Sequence, residues 1–327
     1  MIFRRGHIIL LAILLIGCSR ELPQRDVVIT PCAMPPEGRV GVAYTAIDST
    51  VYVLCGRSES HAVTSSALVY DASADQWTEA QTPIPARVHA TAITLNGDLY
   101  VGLGYGGAGI YKDESFLRDF YRYEPATNSW IRLADYPSEN TVAPISFTDG
   151  QYIYVGFGYR HFTHELFRYD TEKDEWTQVS KGLSSSDFPP RVMSPIAGNV
   201  ANRCFVGSGH RNNVGSFFAE YIPADDRWEK RTAVPGKARH NAACTTTDEM
   251  LFVFGGWHYG DSLTTGFHFD DILAYKPEED KWLSYGTMPD GKAESRVAAR
   301  IGNTVYFGLG EDQHGKILKH FYRFEVK

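Results

Sequence analysis

The feature that most constrains this fold is a segment that recurs five times along the chain. Each copy opens with Tyr, continues through six mostly polar residues and closes with Trp. The copies are YDASADQW (Tyr70–Trp77), YEPATNSW (Tyr123–Trp130), YDTEKDEW (Tyr169–Trp176), YIPADDRW (Tyr221–Trp228) and YKPEEDKW (Tyr275–Trp282). Successive Trp residues lie 53, 46, 52 and 54 positions apart. A period of this size is typical of repeat architectures, in which each unit is one supersecondary structure.

A second segment recurs six times and gives the number of units. The copies are VYVLCGR (Val51–Arg57), LYVGLGY (Leu99–Tyr105), IYVGFGY (Ile153–Tyr159), CFVGSGH (Cys204–His210), LFVFGGW (Leu251–Trp257) and VYFGLGE (Val305–Glu311). Each is an apolar strand that ends in glycine, and the residue after the last glycine varies: Arg, Tyr, Tyr, His, Trp and Glu.

Each unit is predicted to be a four-stranded meander. In the second unit the inner strand lies near Val88–Leu95, Asn96-Gly97 forms a hairpin turn, and Asp98–Gly104 is the second strand. Phe120–Glu124 and Ser129–Leu133 follow as the third and outer strands. The apolar residues alternate with a period of two throughout, and no stretch has convincing helical periodicity. The aromatic content of 13% and the 30 glycines suit many short strands joined by turns.

These residues resemble the kelch family. The shared features are an Arg at the start of the inner strand, a strand that ends in glycines, and then Tyr, a polar turn and Trp. The resemblance covers nearly the whole chain after its N-terminal segment and implies an all-β, six-bladed kelch-type β-propeller. This sequence departs from the family at the glycines, because four units have Gly-x-Gly and only Gly255-Gly256 is a true pair. Gly-x-Gly can still relieve crowding or allow a positive φ.

The sixth unit lacks its outer strand. It supplies Arg296–Ile301, Thr304–Gly308 and His320–Glu325, and the chain then stops. The segment Arg25–Thr30 is predicted to provide the missing strand, so that an N-terminal strand closes the last blade. Such closure joins the two ends of the ring and protects a strand edge.

The N-terminal segment is predicted to be a lipoprotein signal peptide. Arg4 and Arg5 precede the apolar run Ile8–Ile16, which is too short for a stable transmembrane helix. The run leads into Leu-Ile-Gly-Cys, which resembles a bacterial lipobox with Cys18 as the lipidated residue; an ordinary secretory signal is the alternative. The predicted organisation is a signal peptide over 1–17, a lipidated tether over 18–24 and the propeller over 25–327. By resemblance, Ser19 favours the outer membrane of the cell envelope, with the periplasmic or external face left open.

The net charge narrows the kind of partner. Removing Arg4 and Arg5 changes the formal net charge from −7 to about −9, which argues against nucleic-acid binding.

The remaining cysteines have two interpretations. Cys204 and Cys244 lie in predicted strands and are interpreted as small buried hydrophobic residues. Cys32 and Cys55 either form a disulfide, which export would permit, or remain free.

The best candidates for ligand contact lie on one face of the propeller. The residue after the last glycine falls at an equivalent rim position in each blade, and the following loops are unequal in length, as expected of function-bearing loops on a rigid scaffold. The candidate binding residues on this rim are Arg57, Tyr105, Tyr159, His210, Trp257, Tyr259 and Glu311. Eight of the eleven histidines lie in the same loops: His61, His161, His164, His210, His258, His268, His314 and His320.

Arginines at the inner-strand starts form a second candidate ring. They are Arg39, Arg87, Arg191, Arg239 and Arg296, with Asn140 in the third blade. One interpretation is a funnel that binds a carboxylate or phosphate, with Arg87, Arg239 and Arg296 as binding residues. The alternative is a framework in which these arginines hold loop carbonyls and carboxylates, and a position filled in five blades favours it.

Catalytic patterns are sparse. HFTHE (His161–Glu165) superficially resembles metal-ligand spacing, but a short loop lacks the helix that would direct both rings at one ion. The loop carboxylates Glu114, Asp261, Asp271 and Glu311 are possible acid–base groups, but their spacing singles out no pair. The sequence therefore indicates neither a metal nor a cofactor.

Three classes of function remain. The first is a non-catalytic binding module for a protein partner or a glycan, held at the membrane by its lipid. The second is an enzyme acting on an acidic sugar, because N-acetylneuraminate epimerases are similar kelch proteins; against it, no active-site residue matches by motif and long insertions are missing. The third is a copper oxidase of the galactose-oxidase type, which is disfavoured because only Cys55 among the cysteines lies on the predicted rim. The expected function is the binding module, with the epimerase or mutarotase as the alternative.

Overall fold

The strands form a six-bladed β-propeller, as the repeats predict. The computed structural model describes residues 22–107, 115–138, 143–158, 165–180, 190, 192–210 and 215–326. Six four-stranded antiparallel sheets follow one another along the chain. Each inner strand contacts the inner strands of the two neighbouring sheets, and the last inner strand contacts the first, which closes the ring.

Five blades are continuous meanders. Blade 1 consists of Ala43–Ile47, Thr50–Leu54, Ala67–Asp71 and Gln76–Ala80. Blade 2 consists of Thr91–Leu95, Asp98–Gly102, Phe120–Glu124 and Ser129–Leu133. Blade 3 consists of Ile145–Thr148, Ile153–Gly156, Leu166–Asp170 and Glu175–Ser180. Blade 4 consists of Ile196–Val200, Arg203–Gly207, Phe218–Ile222 and Arg227–Lys230. Blade 5 consists of Ala243–Thr246, Leu251–Phe254, Asp271–Lys276 and Lys281–Thr287.

Blade 6 takes its outer strand from the N-terminal segment, as predicted. Its strands are Val297–Ile301, Thr304–Gly308, Phe321–Glu325 and Thr30–Pro31. The closing strand is shorter than predicted and lies at the C-terminal end of the expected segment, with Thr30 opposite Arg323 and Pro31 opposite Tyr322. The preceding residues lie along blade 5, where Pro23 O and Arg25 N bond to Ser284. The last part of the predicted tether is thus attached to the propeller, because Leu22 packs beside Trp282.

Three short ladders and two single turns of 3-10 helix complete the described structure. The ladders pair Arg39–Val40 with Arg57–Ser58, Trp257–Gly260 with Thr265–His268, and Ala293–Glu294 with Glu311–Asp312. The helical turns are Pro223–Asp225 and Pro277–Glu279. Within these residues, no helix has the length and apolar character needed to cross a bilayer.

In the first five blades, the Tyr-to-Trp repeat forms the hairpin between the third and outer strands by one local mechanism. The Tyr and Trp stand opposite each other on the third and outer strands, with ring centroids 4.7–5.2 Å apart. The Tyr hydroxyl donates to the acidic or amide side chain five residues later, as from Tyr70 to Asp75 at 2.7 Å. That acceptor residue has a positive φ, which Asp and Asn tolerate better than most residues. The turn sequence therefore follows from the geometry that the hairpin requires.

In blades 1, 3 and 5 the same turn also fastens the blade to the segment that follows the outer strand of the preceding blade. In blade 3, Trp176 Nε1 donates to the carbonyl oxygen of Ala134, while the carboxylate of Asp174 accepts from the Ala134 amide at 2.8 Å. In blade 1, Trp77 and Asp75 hold both backbone groups of Ala33, each at 2.8 Å. Ala33 follows the N-terminal closing strand, so this two-point clamp, named here the Trp–Asp clamp, fixes that strand to blade 1.

Where a repeat has two glycines, as in blade 2, the two have different roles. A Cβ on Gly102 would lie 2.4 Å from the carbonyl oxygen of Asp119, so the first glycine permits close approach of the third strand. Gly104 has a φ of +91°, so the second lets the chain turn out of the strand.

The four cysteines in the described residues are free thiols. The Cys32–Cys55 disulfide, left open by the sequence, is thus not formed in this structure. Cys204 and Cys244 lie in strands, as predicted. Cys18 and the signal peptide lie outside the described residues.

A channel of about 450 Å³ runs between the inner strands and is crossed by one side chain. Tyr44 of blade 1 reaches the backbone of Cys244 in blade 5, accepting from its amide at 3.0 Å and donating to its carbonyl oxygen at 3.3 Å. Burial raises the pKa of the Tyr44 hydroxyl well above its usual value, so the group stays neutral. Tyr44 therefore narrows the channel within the ring.

Candidate functional site

The rim residues that the structure describes lie at one equivalent register. Each pairs with the residue that leads into the inner strand of its own blade. The pairs are Arg57 with Val40, Tyr105 with Val88, His210 with Met193, Trp257 with His240, and Glu311 with Glu294. Tyr159 lies outside the described residues. The differing seventh residues thus share one structural position, as the repeats predict.

Six residues with left-handed backbone conformation form a ring around the channel mouth on this face. One residue per blade has a φ between 46° and 64°: Gly41, His89, Ala143, Ser194, Asn241 and Ser295. Neighbours in this ring are joined by backbone hydrogen bonds, including His89 N to Gly41 O at 2.7 Å and Ser295 N to Asn241 O at 2.7 Å. The mouth is therefore a fixed backbone frame, on which the His89 and Asn241 side chains are mounted.

The arginine ring is framework, which corrects the predicted binding role of Arg87, Arg239 and Arg296. All three side chains are at most 1% exposed. Arg87 makes two bonds of 2.7 Å to Asp119, and Arg239 holds both carboxylate oxygens of Asp271. A guanidinium that is buried and already occupied by a carboxylate offers no surface to a ligand.

The arginines also do not occupy matching positions in every blade. The last glycine of the strand repeat allows the positions to be compared. In four blades its backbone amide donates a hydrogen bond to a carbonyl oxygen of the next blade, and the residues that accept this bond are structurally equivalent. The donors are Gly56, Gly209, Gly256 and Gly310. The acceptors are Arg87, Arg239, Ala293 and Arg39, respectively. Arg296 therefore lies three residues beyond the common position and pairs with Asp290 instead. In blade 4 the register of Met193 places Val192 at this site. Arg191 lies outside the described residues.

Tyr105 is not a rim contact residue, which corrects a second prediction. Its side chain is buried, 3% exposed, and packs edge-on against Phe116 with 5.6 Å between ring centroids. The loop after the second strand of blade 2 folds back so that both Val88 and Phe116 bridge to Tyr105. This ring is therefore part of the loop's own core.

Arg57 and Glu311 form one group across the seam between blades 1 and 6. Arg57 donates to a Glu311 oxygen at 2.5 Å and also bonds His61 Nδ1 at 2.8 Å. The Arg57 and Glu311 side chains are 33% and 22% exposed, so this pair is accessible to solvent. It is a polar edge of the mouth.

On blades 4 and 5, aromatic and imidazole rings pack into a continuous cluster. Its members, named here the blade 5 cluster, are His210, His240, Trp257, Tyr259 and His268. Centroid distances are 4.4 Å for His210–Tyr259, 5.1 Å for His240–Trp257 and 5.2 Å for Trp257–Tyr259. Trp257 also stacks on His268 at 5.6 Å with an interplanar angle of 5°. The hairpin formed by Trp257–Gly260 and Thr265–His268 supplies three of the five rings, and Tyr259 is 55% exposed on it.

A carboxylate lies at the inner end of this cluster. Glu294 accepts from Asn241 Nδ2 at 2.8 Å, and His268 Nε2 is 3.7 Å from its other oxygen. Burial opposes ionisation of Glu294, but hydrogen bonds from His268 and Asn241 prevail and leave its pKa below the usual value. Burial lowers the pKa of His240 to about 4, and burial also lowers the pKa values of His210 and His89. Burial therefore favours the uncharged forms of His240, His210 and His89, whereas Glu294 is ionised at neutral pH.

The other predicted loop groups serve the loops themselves. His258 is buried and donates from Nδ1 to the Ala238 carbonyl oxygen at 2.8 Å. Asp261 binds Lys237 at 2.9 Å. Glu114 and the two histidines of HFTHE, His161 and His164, lie outside the described residues. Among the described side chains, no three His, Cys, Asp or Glu groups are arranged to hold a metal ion.

Sequence reasoning missed His240, Asn241 and Glu294. His240 and Asn241 directly follow the framework residue Arg239, where blade 1 has Val40 and Gly41. A polar pair in place of apolar or small residues is the only local signal. Glu294 carries no repeat signal, because its role depends on the loop from blade 5.

Comparisons with known proteins agree with this geometry. The Attractin/LZTR1 beta-propeller family model matches residues 51–304. Kelch-like protein 23 from Homo sapiens is 23% identical over 82% of this chain and 45% of its own length. N-acetylneuraminate epimerase from Yersinia enterocolitica is 20% identical over 66% of this chain and 50% of its own. The chain spans about half the length of these curated relatives.

Solved structures show the same fold. The chain described as "Structure of YjhT" superposes with a TM-score of 0.73 at 18% identity, covering 90% of this chain and 97% of that one. At this identity the likeness concerns the fold alone. Taken with the family match, the repeats and the six closed blades, it leads to one conclusion: the chain belongs to the Attractin/LZTR1 beta-propeller family and is a six-bladed kelch propeller.

Proposed function

We propose that this chain is a non-catalytic binding propeller that recognises a glycan at the channel mouth bordered by the blade 5 cluster. The observation that carries the proposal is the partly exposed pair Trp257 and Tyr259, set beside the polar groups Asn241 and Glu294. Aromatic faces stack on the apolar faces of sugars, while amide and carboxylate groups orient hydroxyls. A rigid backbone ring holds both sets, which lowers the entropic cost of binding.

Titration with glycans tests this proposal directly. Trp257 is the one Trp outside the five structural repeats, so ligand contact should change its fluorescence. We expect Trp257→Ala to abolish binding to any glycan that the protein captures on an array. Leu263→Ala is the matched control, because Leu263 is 91% exposed on the same hairpin and lies outside the cluster. Absence of any glycan hit, together with specific capture of one protein at this face, would refute the glycan and support a protein partner.

A second candidate is a sugar-directed enzyme of the epimerase or mutarotase type. The specific observation favouring it is the Glu294–His268 contact of 3.7 Å, a carboxylate beside an imidazole at the mouth. Such a pair is suited to proton transfer, and one relative is described as an N-acetylneuraminate epimerase. NMR of sialic acid enriched in one anomer separates the candidates. A binding module leaves its relaxation to equilibrium unchanged, whereas acceleration that disappears in Glu294→Gln would establish the enzyme.

The proposal includes a lipid anchor at Cys18 and a place in the cell envelope at the outer membrane. It is supported by the basic, apolar and lipobox-like segments of the first eighteen residues. Metabolic labelling with a fatty acid should mark the protein, and Cys18→Ala should remove the label. Label that persists in the variant would contradict the anchor.

A further inference from the structure

The mouth combines an exposed aromatic surface with one fixed negative charge. Trp257 and Glu294 both contact the same side chain, His268, at 5.6 Å between rings and 3.7 Å between polar atoms. The Glu294 side chain is 15% exposed and that of His268 is 14% exposed. The carboxylate is therefore recessed, with a small exposed fraction, and His268 contacts both it and the Trp257 ring.

The orientation of Glu294 is fixed by its neighbours. Asn241, in the backbone ring, donates to one carboxylate oxygen at 2.8 Å, and the Ser295 amide donates to the Asn241 carbonyl oxygen at 2.7 Å. On its own short ladder Glu294 stands opposite Glu311, whose carboxylate is already paired with Arg57. The carboxylate of Glu294 is thus presented by a rigid support and is not drawn into the Arg57 pair.

Two imidazoles near this charge, His240 and His89, do not neutralise it. His240 is 2% exposed, and its pKa of about 4 keeps it uncharged at neutral pH. His89, on the far side of the mouth, is also shifted toward its neutral form by burial, although the charge of Glu294 acts in the opposite direction. An ionised carboxylate beside electron-rich rings is a suitable environment for a cation.

We propose that the mouth recognises a carbohydrate that carries a protonated amino group, with the ammonium paired with the Glu294 carboxylate. This inference rests on the proposed glycan-binding function and names its ligand class. A charge-assisted hydrogen bond to Glu294 would hold the ammonium, while Tyr259 and His210 pack against the sugar ring. An N-acetylated sugar lacks the charge and loses this interaction.

The test compares two ligands that differ only at nitrogen. Calorimetry is performed on the mature protein with a short chitosan oligosaccharide and with the N-acetylated chitin oligosaccharide of equal length, at a slightly acidic pH that protonates the amine. We expect the amino form to bind more tightly by about tenfold or more. Glu294→Gln should remove this preference, because Gln still accepts from Asn241 but carries no charge; the quantity compared is the ratio of the two affinities in each protein.

The control addresses the acidity of the whole protein, which attracts any polycation. Glu278→Gln removes the same unit of charge at a site that is 81% exposed and paired with Arg203, away from the mouth. It should keep the preference of the unaltered protein. A preference lost equally in both variants would overturn the inference in favour of general electrostatic attraction.

The remaining outcomes separate the inference from the function beneath it. Equal affinity of the unaltered protein for both oligosaccharides overturns the amino-sugar assignment and leaves glycan binding in place; this comparison needs no variant to fold. Binding of neither oligosaccharide, and of no other glycan, overturns the proposed function as well. Tighter binding of a lysine-containing peptide of equal charge, lost in Glu294→Gln, would replace the amino sugar by a basic side chain of a protein.

Discussion

Weakening the Trp–Asp clamp of blade 1 should selectively open the ring at the closing strand. The perturbation is the double substitution Asp75→Asn and Trp77→Phe, which keeps an aromatic ring and a residue that tolerates the positive φ at position 75. It removes the Trp77 hydrogen bond to Ala33 and the charge on the acceptor of the Ala33 amide, both at 2.8 Å. The matched control is Asp174→Asn with Trp176→Phe, the same clamp around Ala134.

The expected magnitude follows from these bonds. A neutral hydrogen bond contributes about 1 kcal/mol, and one to a charged group about 1.5–3 kcal/mol. Asp75 is exposed, so water replaces part of the second contribution, and we expect a loss of about 2 kcal/mol per clamp. That corresponds to about a 30-fold increase in the opening equilibrium of the strand that it holds.

Hydrogen exchange followed by mass spectrometry measures this opening. In the blade 1 variant, exchange should accelerate in the peptide that contains Thr30–Pro31, which two ladder positions and the hydrogen bond from Cys32 N to Phe321 O hold to blade 6. In the control variant, that peptide should exchange as in the unaltered protein, although global stability falls by a similar amount. Unchanged exchange of the closing strand in the blade 1 variant would refute the assignment of the clamp as the ring's fastening.

Four further predictions test the framework and the mouth. Arg87→Ala should lower the free energy of unfolding by about 3–5 kcal/mol because it leaves Asp119 unpaired, whereas Arg57→Ala at the exposed pair should lower it by about 1 kcal/mol or less. Urea denaturation compares the two variants, and equal losses would contradict the framework role of Arg87. Hydrogen bonds from Ala33 and Tyr70 lower the pKa of Asp75, so its contribution to stability is present above about pH 4 and lost as pH falls through the folded-state value; acid denaturation of Asp75→Asn should lack this component. Because the pKa of His240 is about 4 in the folded protein, protonation of its imidazole favours unfolding. The contribution to stability is fully present above about pH 6.5 and falls by up to ~3 kcal/mol toward pH 4; a His240 imidazole that titrates near 6.5 by NMR would contradict this prediction. Tyr44→Phe should remain folded but lose about 1–2 kcal/mol and expose the Cys244 amide to faster exchange, and unaltered protection of that amide would show that Tyr44 contributes nothing there.

The fold was largely predictable because its signals are local. Tyr70, Asp75 and Trp77 lie within one hairpin, so their spacing alone encodes the turn, the ring contact and the positive φ. The strand closing blade 6 was also predictable, since a missing outer strand requires a donor. Its extent was not, because pairing of Thr30–Pro31 depends on where the third strand and the blade 1 clamp place it.

The site was predictable only in part, for a physical reason. Sequence repetition fixes a residue's register but not what the loops place above it. Trp257 and His210 lie at the predicted rim register and pack in one cluster with Tyr259. Tyr105 lies at the same register but is covered by Phe116. Arg296 looked equivalent to Arg239 because both precede an inner strand, but their offsets differ by three residues and so do their partners. Glu294 acquires its role from His268, a residue of the neighbouring blade.

The closing strand also has a kinetic consequence. Thr30 pairs with Arg323, about 290 residues later. The closing strand is synthesised first, but it can pair only after the last strand of the propeller has been synthesised. During that interval the third strand of blade 6, once made, has an open edge, and such edges are sites of aggregation. The rate of completing the ring should therefore be limited by the encounter of the chain's two ends, and a circularly permuted chain with all four strands of blade 6 contiguous should fold faster to the same structure.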